Sequence, residues 1–329
     1  MPPLGLFMSN SDLKVVRPIL GRALVFLIPF YLLILGVMLV DPYDFFGRSR
    51  LIHKDIKKEV SLYYNPVLWK TLQFGKSPMA NILLGDSRMY NMDVDDIRSV
   101  SGASFYNFAY TGGTLAEAID TFWFAQRQIK LNQVVIGISL TVFNSADDMN
   151  RFQDTQAILN RPMMYFINAD VLQSGYNSVK AQSLERHPQF RMPERDTQED
   201  WANQTGSVIN GFYYRYSYPV HYAESLEKIS RYCRENGIDL VFVLLPTHVD
   251  IQGKIAAYHL ESADRVFRSE IERLGRVLDF DYPNAMTMDV ANFMDPFHAN
   301  EATCAKVAGE IFGPGREFVR VTGTPTTKR

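Results

Sequence analysis

Ser87 closes the short run Asn81-Ile82-Leu83-Leu84-Gly85-Asp86, and its hydroxyl stands where covalent chemistry is easiest to arrange. An apolar run of this kind reads as a parallel strand covered on both faces, and ligands of open α/β sheets gather at the carboxyl ends of such strands. A serine hydroxyl is a poor nucleophile until an imidazole takes its proton. That imidazole in turn needs a carboxylate to fix its tautomer and stabilise its cation. Asp295 and His298, in Asp295-Pro296-Phe297-His298, suit those two roles. One turn can present both side chains toward the sheet edge, with the carboxylate on the ring nitrogen that does not face the serine. Gly-Asp-Ser arises by composition in roughly one chain of this length in ten, and Asp-x-x-His in about one in three. The weight therefore falls on their order, the serine after the first strand and the acid and base just before the last helix.

The elements that must position these groups alternate between strand and helix. After the opening strand, residues 93–99 read as a short helix with carboxylates in its first turn, and 104–108 as a second strand. Gly112-Gly113 breaks the chain. Thr114 then caps a helix reaching about Lys130, with Leu115, Ala118, Ile119, Phe122 and Ala125 on one face. Residues 133–140 form a third strand, 221–236 a helix stopped by Gly237, and 238–245 a fourth, strongly apolar strand. A helix over 254–274, a short strand over 276–280 and a final helix over 301–312 complete the pattern. The expectation is an α/β fold, a doubly wound parallel sheet with helices on both faces. The rhythm fails over 144–216, too long for an ordinary loop, so an insertion packed over the sheet or a partly mobile lid is expected there. Tyr213, Tyr214, Tyr216, Tyr218 and Tyr222 close that stretch, either stacking on sugar rings or packing against the core. Residues 314–329 read as a flexible tail.

A chain of 329 residues with a formal net charge of -2 carries no electrostatic footprint for nucleic acid. Cys233 and Cys304 lie far apart and show neither zinc-ligand spacing nor disulfide density, and they read as two buried thiols or a pair. The histidines are scattered, so no metal is expected; His53, His187, His221 and His259 read as surface or packing residues. Residues 23–40 form an unbroken apolar run without a charge, long enough to cross a bilayer and not followed by a cleavage site. Pro29 is tolerable inside a membrane helix. The reading is a cytoplasmic amino terminus over 1–17, a transmembrane anchor over 18–41, a membrane-proximal connector over 42–76 and an α/β domain over 77–313. Lys14, Arg17 and Arg22 precede the run while Arg48, Arg50, Lys54, Lys57 and Lys58 follow it, so positive charge does not set the orientation. Tyr43, Phe45 and Phe46 suit an interfacial belt, and the basic residues beyond them suit anionic lipid headgroups.

With Gly85-Asp86-Ser87 near one end and Asp295-Pro296-Phe297-His298 near the other, residues 81–312 resemble the SGNH, or GDSL-like, hydrolase superfamily. The resemblance implies a flavodoxin-like sheet, Ser87 as nucleophile, His298 as general base, Asp295 as the orienting acid, and no cofactor. It also implies an oxyanion donor in the segment Asn107-Phe108-Ala109-Tyr110-Thr111-Gly112-Gly113, with Gly112 the better candidate. The family's third block supplies an asparagine at the end of the third strand, which Gly137-Ile138-Ser139-Leu140 lacks; losing one oxyanion donor costs a few kcal/mol of transition-state stabilisation. Asn144 in the following loop is the candidate substitute, unless the amides of Ser87 and Gly112 suffice. Arg88 is placed either to bind an anionic acceptor or to lie solvated or helix-facing, and His248, past the fourth strand, to line the substrate site.

The weakened third block and the anchor look more like a membrane-tethered branch, that of the teichoic acid D-alanyl transfer protein and the alginate O-acetylation proteins. Members of that branch work beside a membrane-bound O-acyltransferase, outside the cytoplasmic membrane. The expected function is that of an extracytoplasmic serine esterase or O-acyltransferase acting on a cell-envelope polysaccharide. The alternative is a non-catalytic scaffold or glycan-binding subunit of an envelope O-acylation machine.

Overall fold

The structure is a computed structural model and describes residues 10–47, 49–184 and 197–327. Its first half runs α1 (Asn10–Val40), α2 (Lys54–Tyr64), α3 (Pro66–Lys76), β1 (Asn81–Leu84), α4 (Ser87–Tyr90), α5 (Val94–Ser101), β2 (Tyr106–Asn107), α6 (Leu115–Gln128), β3 (Gln133–Gly137) and α7 (Arg151–Asn160). Then come α8 (Met163–Ile167), α9 (Ala169–Ser183), α10 (Thr197–Asn203), α11 (Ile209–Tyr213), α12 (Val220–Asn236), β4 (Asp239–Leu244), α13 (Val249–Ala257) and α14 (Glu261–Leu274). The chain closes with β5 (Arg276–Asp279), β6 (Phe293–Asp295), β7 (His298–Ala299), α15 (Glu301–Phe312) and β8 (Arg320–Gly323). The described residues divide into two compact units, one built from the chain up to 64 together with 160–184, the other from 65–159 and 197–327.

The larger unit is α/β. Its strands lie in the order β2-β1-β3-β4-β5-β8, with β1 to β5 parallel and β8 antiparallel at the edge. Each parallel strand alternates its side chains between two apolar layers. Ile82, Leu84, Val134, Ile136, Leu240, Phe242 and Leu244 face the layer made by α3, α6, α12 and α14. Leu83, Val135, Val241, Val243 and Leu278 face the one made by α5 and α15. Strand order reverses at β1, whose neighbours β2 and β3 lie on opposite sides, and this is the point where open sheets leave a crevice at their carboxyl edge. Cys233 belongs to the first layer and Cys304 to the second; both are buried free thiols.

Three sequence expectations need correction here. Residues 66–76 are not connector: α3 buries Val67 and Phe74 in the first layer. Its start is written in Asn65-Pro66, with the Asn65 side chain accepting from the Leu68 amide at 2.9 Å and Pro66 at the first helical position. Residues 314–327 are not a loose tail, since β8 pairs with β5 and the Thr326 hydroxyl bridges Ile238 and Leu240. The buried Glu310 carboxylate accepts the amides of Glu317, Phe318 and Val319, and an otherwise open sheet edge gains a partner. The helix expected over 254–274 is two, broken where His259 takes a φ of 57°.

The smaller unit revises the insertion. Residues 160–184 fold with 41–64: α2 and α9 share a core of Ile52, Ile56, Val60 and Ala181. Asp41, at the foot of α1, accepts the amides of Phe45, Phe46 and Gly47 and the hydroxyl of Tyr165. The Tyr43 and Ser174 hydroxyls meet at 3.0 Å. Along α1, Leu24, Phe26, Ile28, Leu32 and Leu35 are exposed. Among the described residues no helix is long and apolar enough to cross a membrane. The side chains of Leu20 and Ala23 lie outside that description, so the anchor expected over 18–41 falls partly outside it, as do Arg48 and His187.

Candidate active site

β1 ends at Leu84 and the chain turns sharply. Gly85 takes a φ of 147°, and a β-carbon there would meet the Gly137 carbonyl at 3.0 Å and Met89 Cβ at 3.1 Å, so glycine alone fits. Asp86 caps α4 by accepting the Arg88 amide at 3.0 Å, which sets Ser87 at the first position of that helix. The Ser87 hydroxyl lies 2.7 Å from His298 Nε2. On the other side of the ring, Nδ1 lies 2.8 Å from Asp295 Oδ2 and 2.9 Å from Oδ1. A carboxylate only accepts, so Nδ1 carries the proton and Nε2 is free to take one from the serine. Asp295 Oδ1 also accepts the amides of Phe297 at 2.9 Å and His298 at 3.0 Å, which folds the four-residue loop around the carboxylate. Burial pushes the Asp295 carboxyl up, but the hydrogen bond and charge of His298 and those two amides outweigh it and hold the group below the usual range.

Tyr110 to Gly113 form a tight turn beside this corner. The Gly113 amide donates to the Tyr110 carbonyl at 2.9 Å, and the Tyr110 amide to the Gly85 carbonyl at 3.0 Å. A β-carbon on Gly113 would come within 2.8 Å of the Gly85 carbonyl and 3.2 Å of Asp86 Cα, so the turn presses directly on the strand exit that carries Ser87. Among the described residues, neither the Ser87 amide nor the Gly112 amide donates to another group of the chain. Asn144 is different, and the expectation that it substitutes for the missing third-block asparagine is corrected. Its amide nitrogen donates to the Phe212 carbonyl at 2.9 Å, and its oxygen accepts the amides of Ala146 and Ser217, each at 3.1 Å. It is a buried tie between two loops.

Arg88 is buried and turned back on the cap of its own helix, neither toward an acceptor nor into solvent. It is 9% exposed, with Nε 3.1 Å and 3.2 Å from the two oxygens of Asp86 and Nη2 on both Asp86 and, at 2.6 Å, the Ser139 hydroxyl. The cap of α4, Asp86, is itself a carboxylate, and the guanidinium pairs with it. Burial pushes the Asp86 carboxyl up, but the Arg88 and His298 charges outweigh it and keep it ionised. Removing one partner of such a pair leaves an uncompensated buried charge. Arg88→Met is therefore expected to lower stability by about 3–5 kcal/mol, read from the midpoint of urea unfolding.

His248 stands beside the relay and supports it through its backbone. It caps α13 by accepting the Asp250 amide at 3.2 Å, and its ring sits edge-on between Trp201, 4.9 Å away, and Phe293, 5.6 Å away. Its backbone amide donates to the Pro296 carbonyl at 2.9 Å, tying the Asp295–His298 loop to the end of β4. Nothing in the local sequence forecasts that link, which depends on β4 and β6 being brought together. Of the tyrosines, Tyr213 and Tyr222 are core residues and Tyr214 is exposed.

Lys70 was not singled out by the sequence and is the least expected group near this corner. Its ammonium is buried, donates to the Ala109 carbonyl at 2.6 Å and lies 4.4 Å from the Tyr90 ring centre and 5.7 Å from that of Tyr110. Burial pushes the amine down to about 7. Below that pH folded and unfolded chains are both protonated there and the penalty is fully present. From pH 7 toward 10.5, the amine's ordinary value, the folded group is neutral while the unfolded one still binds a proton, so stability rises with pH. Lys70→Met is expected to stabilise the protein at neutral pH by roughly 2–4 kcal/mol, after allowance for the unpaired carbonyl, and to flatten that rise. Unfolding curves collected from pH 6 to 10 check both.

No family model and no curated protein matches the chain. Among solved structures, one from Streptococcus pneumonia, provisionally described as a platelet activating factor, aligns over 76% of this chain and 92% of its own at 9% identity, with a TM-score of 0.36. A likeness of that degree says nothing of function, and the geometry of the site stands by itself.

Proposed function

We propose that the chain is an SGNH-like serine esterase or O-acyltransferase, anchored in the cytoplasmic membrane with its α/β domain outside, that adds or removes acyl groups, acetyl foremost, on a cell-envelope polysaccharide. The observation that supports this is the continuous relay from Ser87 through His298 to Asp295, at 2.7 Å and 2.8 Å, at the switch point of the sheet. In this reading Ser87 Oγ attacks the acyl carbonyl as His298 takes its proton, and the carbonyl oxygen gathers negative charge against the free amides of Ser87 and Gly112. The donor's oxygen leaves with the proton from His298. An acceptor hydroxyl, of sugar or of water, then gives its proton to His298 and attacks the acyl-serine, and His298 returns that proton to Oγ as Ser87 is released. Which acceptor wins depends on the one positioned and on the exclusion of water. The anchor rests on the uncharged run 23–40 and the exposure of its side chains along α1. In this setting a membrane-bound O-acyltransferase is the proposed partner and anionic lipid the proposed contact of the basic residues after α1.

A second reading, a scaffold or glycan-binding subunit that keeps the fold without turnover, draws on the absence of a third-block asparagine and the commitment of Asn144 elsewhere. A serine-directed fluorophosphonate separates the two in the detergent-solubilised protein. Ser87 Oγ displaces fluoride from phosphorus, and the proton goes to His298. Labelling that disappears in Ser87→Ala and His298→Ala supports the enzyme. A folded wild type that stays unlabelled favours the scaffold.

A further inference from the structure

We infer that Arg151, held by the buried Glu117, is a positioning residue that locks the Thr111–Gly112 peptide so that the Gly112 amide stands ready as an oxyanion donor. The inference rests on the serine-hydrolase reading above and supplies what that reading lacks, a reason why one glycine amide serves without an asparagine beside it. Tyr110 to Gly113 make a turn closed by the Gly113 amide on the Tyr110 carbonyl, and of its two central residues only Gly112 has a positive φ, 59°. That combination is a type II turn. Its central peptide stands across the plane of the turn and differs from a type I turn by a flip of that one peptide, so the direction of the Gly112 N–H is the least fixed feature of the loop.

Arg151 fixes it from outside. Its Nη2 donates to the carbonyls of Thr111 at 3.2 Å and Gly112 at 3.4 Å. The peptide is trans, so a Thr111 carbonyl drawn toward the guanidinium turns the Gly112 N–H the opposite way. There, among the described residues, it meets no acceptor. The guanidinium is itself immobilised: Nε donates to Glu117 Oε1 at 2.6 Å and Nη2 to Oε2 at 2.9 Å, a two-pronged pair, while the Arg151 amide donates to Oε1 at 2.9 Å. Glu117 is fully buried and also accepts the Thr114 amide at 3.1 Å as half of a capping box at the start of α6. The carboxylate thus joins the helix that follows the turn to the arginine that grips it. A planar fork suits two carbonyls and a carboxylate together, and a lysine ammonium does not reproduce it.

The test uses the full chain in detergent, p-nitrophenyl acetate as substrate, and the fluorophosphonate carried to completion to count reactive serines. For Arg151→Met, kcat per titrated site is expected to fall between about 10- and 100-fold, short of deleting the donor itself, with KM nearly unchanged. Arg151→Lys should recover part of the loss, and added guanidinium ion should partly restore Arg151→Ala. A merely structural role would lower the number of titratable sites and leave kcat per site intact, which overturns the inference. So does a per-site kcat within about twofold of wild type in both the Met and Lys variants. If Arg151→Met does not fold, as its melting curve would reveal, the Lys variant carries the same comparison. A wild type that titrates while the variants match it sinks this inference alone; a wild type that never titrates sinks the hydrolase reading beneath it.

Discussion

Ser87→Ala is expected to lower ester turnover by roughly 10⁴–10⁶-fold while leaving the melting temperature close to that of wild type. The two halves of that expectation come from one geometry. Ser87 is half-buried at the first turn of α4, and among the described residues its hydroxyl has one partner, His298 Nε2 at 2.7 Å. Alanine keeps the helix start, whose cap is Asp86 and not Ser87, and the ring stays held from the far side by Asp295. Little packing is lost, so the change falls on the chemistry. Pre-steady-state hydrolysis of p-nitrophenyl acetate with the purified chain checks it: the wild type should release a burst of phenolate equal to the enzyme present, and the variant none.

Asp295→Asn should be nearly as damaging to rate, by about 10⁴-fold, again with the fold intact. Asparagine still offers an oxygen to the amides of Phe297 and His298, so the loop keeps its shape. What it loses is the second acceptor: with an NH₂ facing Nδ1, the neutral ring takes the other tautomer and presents a proton, not a lone pair, to Ser87. The carboxylate also fixes a pH window. Its folded value lies below its ordinary one, so its contribution to stability is present above the unfolded value of roughly 3.9 and is lost as pH falls through the lowered folded value. Acid unfolding of the wild type below about pH 4 should therefore carry a component that Asp295→Asn lacks, and kcat together with urea midpoints between pH 2.5 and 7 measures both effects.

Much of the site lies in the sequence because its parts are local. Gly85 to Ser87 is one strand exit and Asp295 to His298 one turn, and the alternation of apolar runs with capped helices places both at the carboxyl edge of the sheet. Gly237 as a helix stop and Thr114 as a cap are equally local, and α12 and α6 form where they indicate. What escapes sequence reading is long-range commitment of polar groups. Asn144 and Arg88 have the residue types of a binding site, yet each is bound by partners that only the folded chain supplies: Phe212 and Ser217, and Ser139. Arg151 is illegible for the same reason, 34 positions from Glu117. The short strand β8 has too little alternation to stand out in a Thr- and Pro-rich tail; it forms because β5 has an edge to cover. Residues 160–184 show the reverse: polar and irregular in sequence, they become helical by packing on 41–64.

The central claim is that Ser87 carries an acyl group during the reaction. Acid quenching of the wild type within the burst phase on p-nitrophenyl acetate, followed by peptide mass mapping, tests it most directly. A single acetyl addition on the peptide containing Ser87, absent from Ser87→Ala and slow to form in Asp295→Asn, is the expected result. Turnover of the ester with that peptide unmodified, or with the acetyl group on another residue, would contradict it.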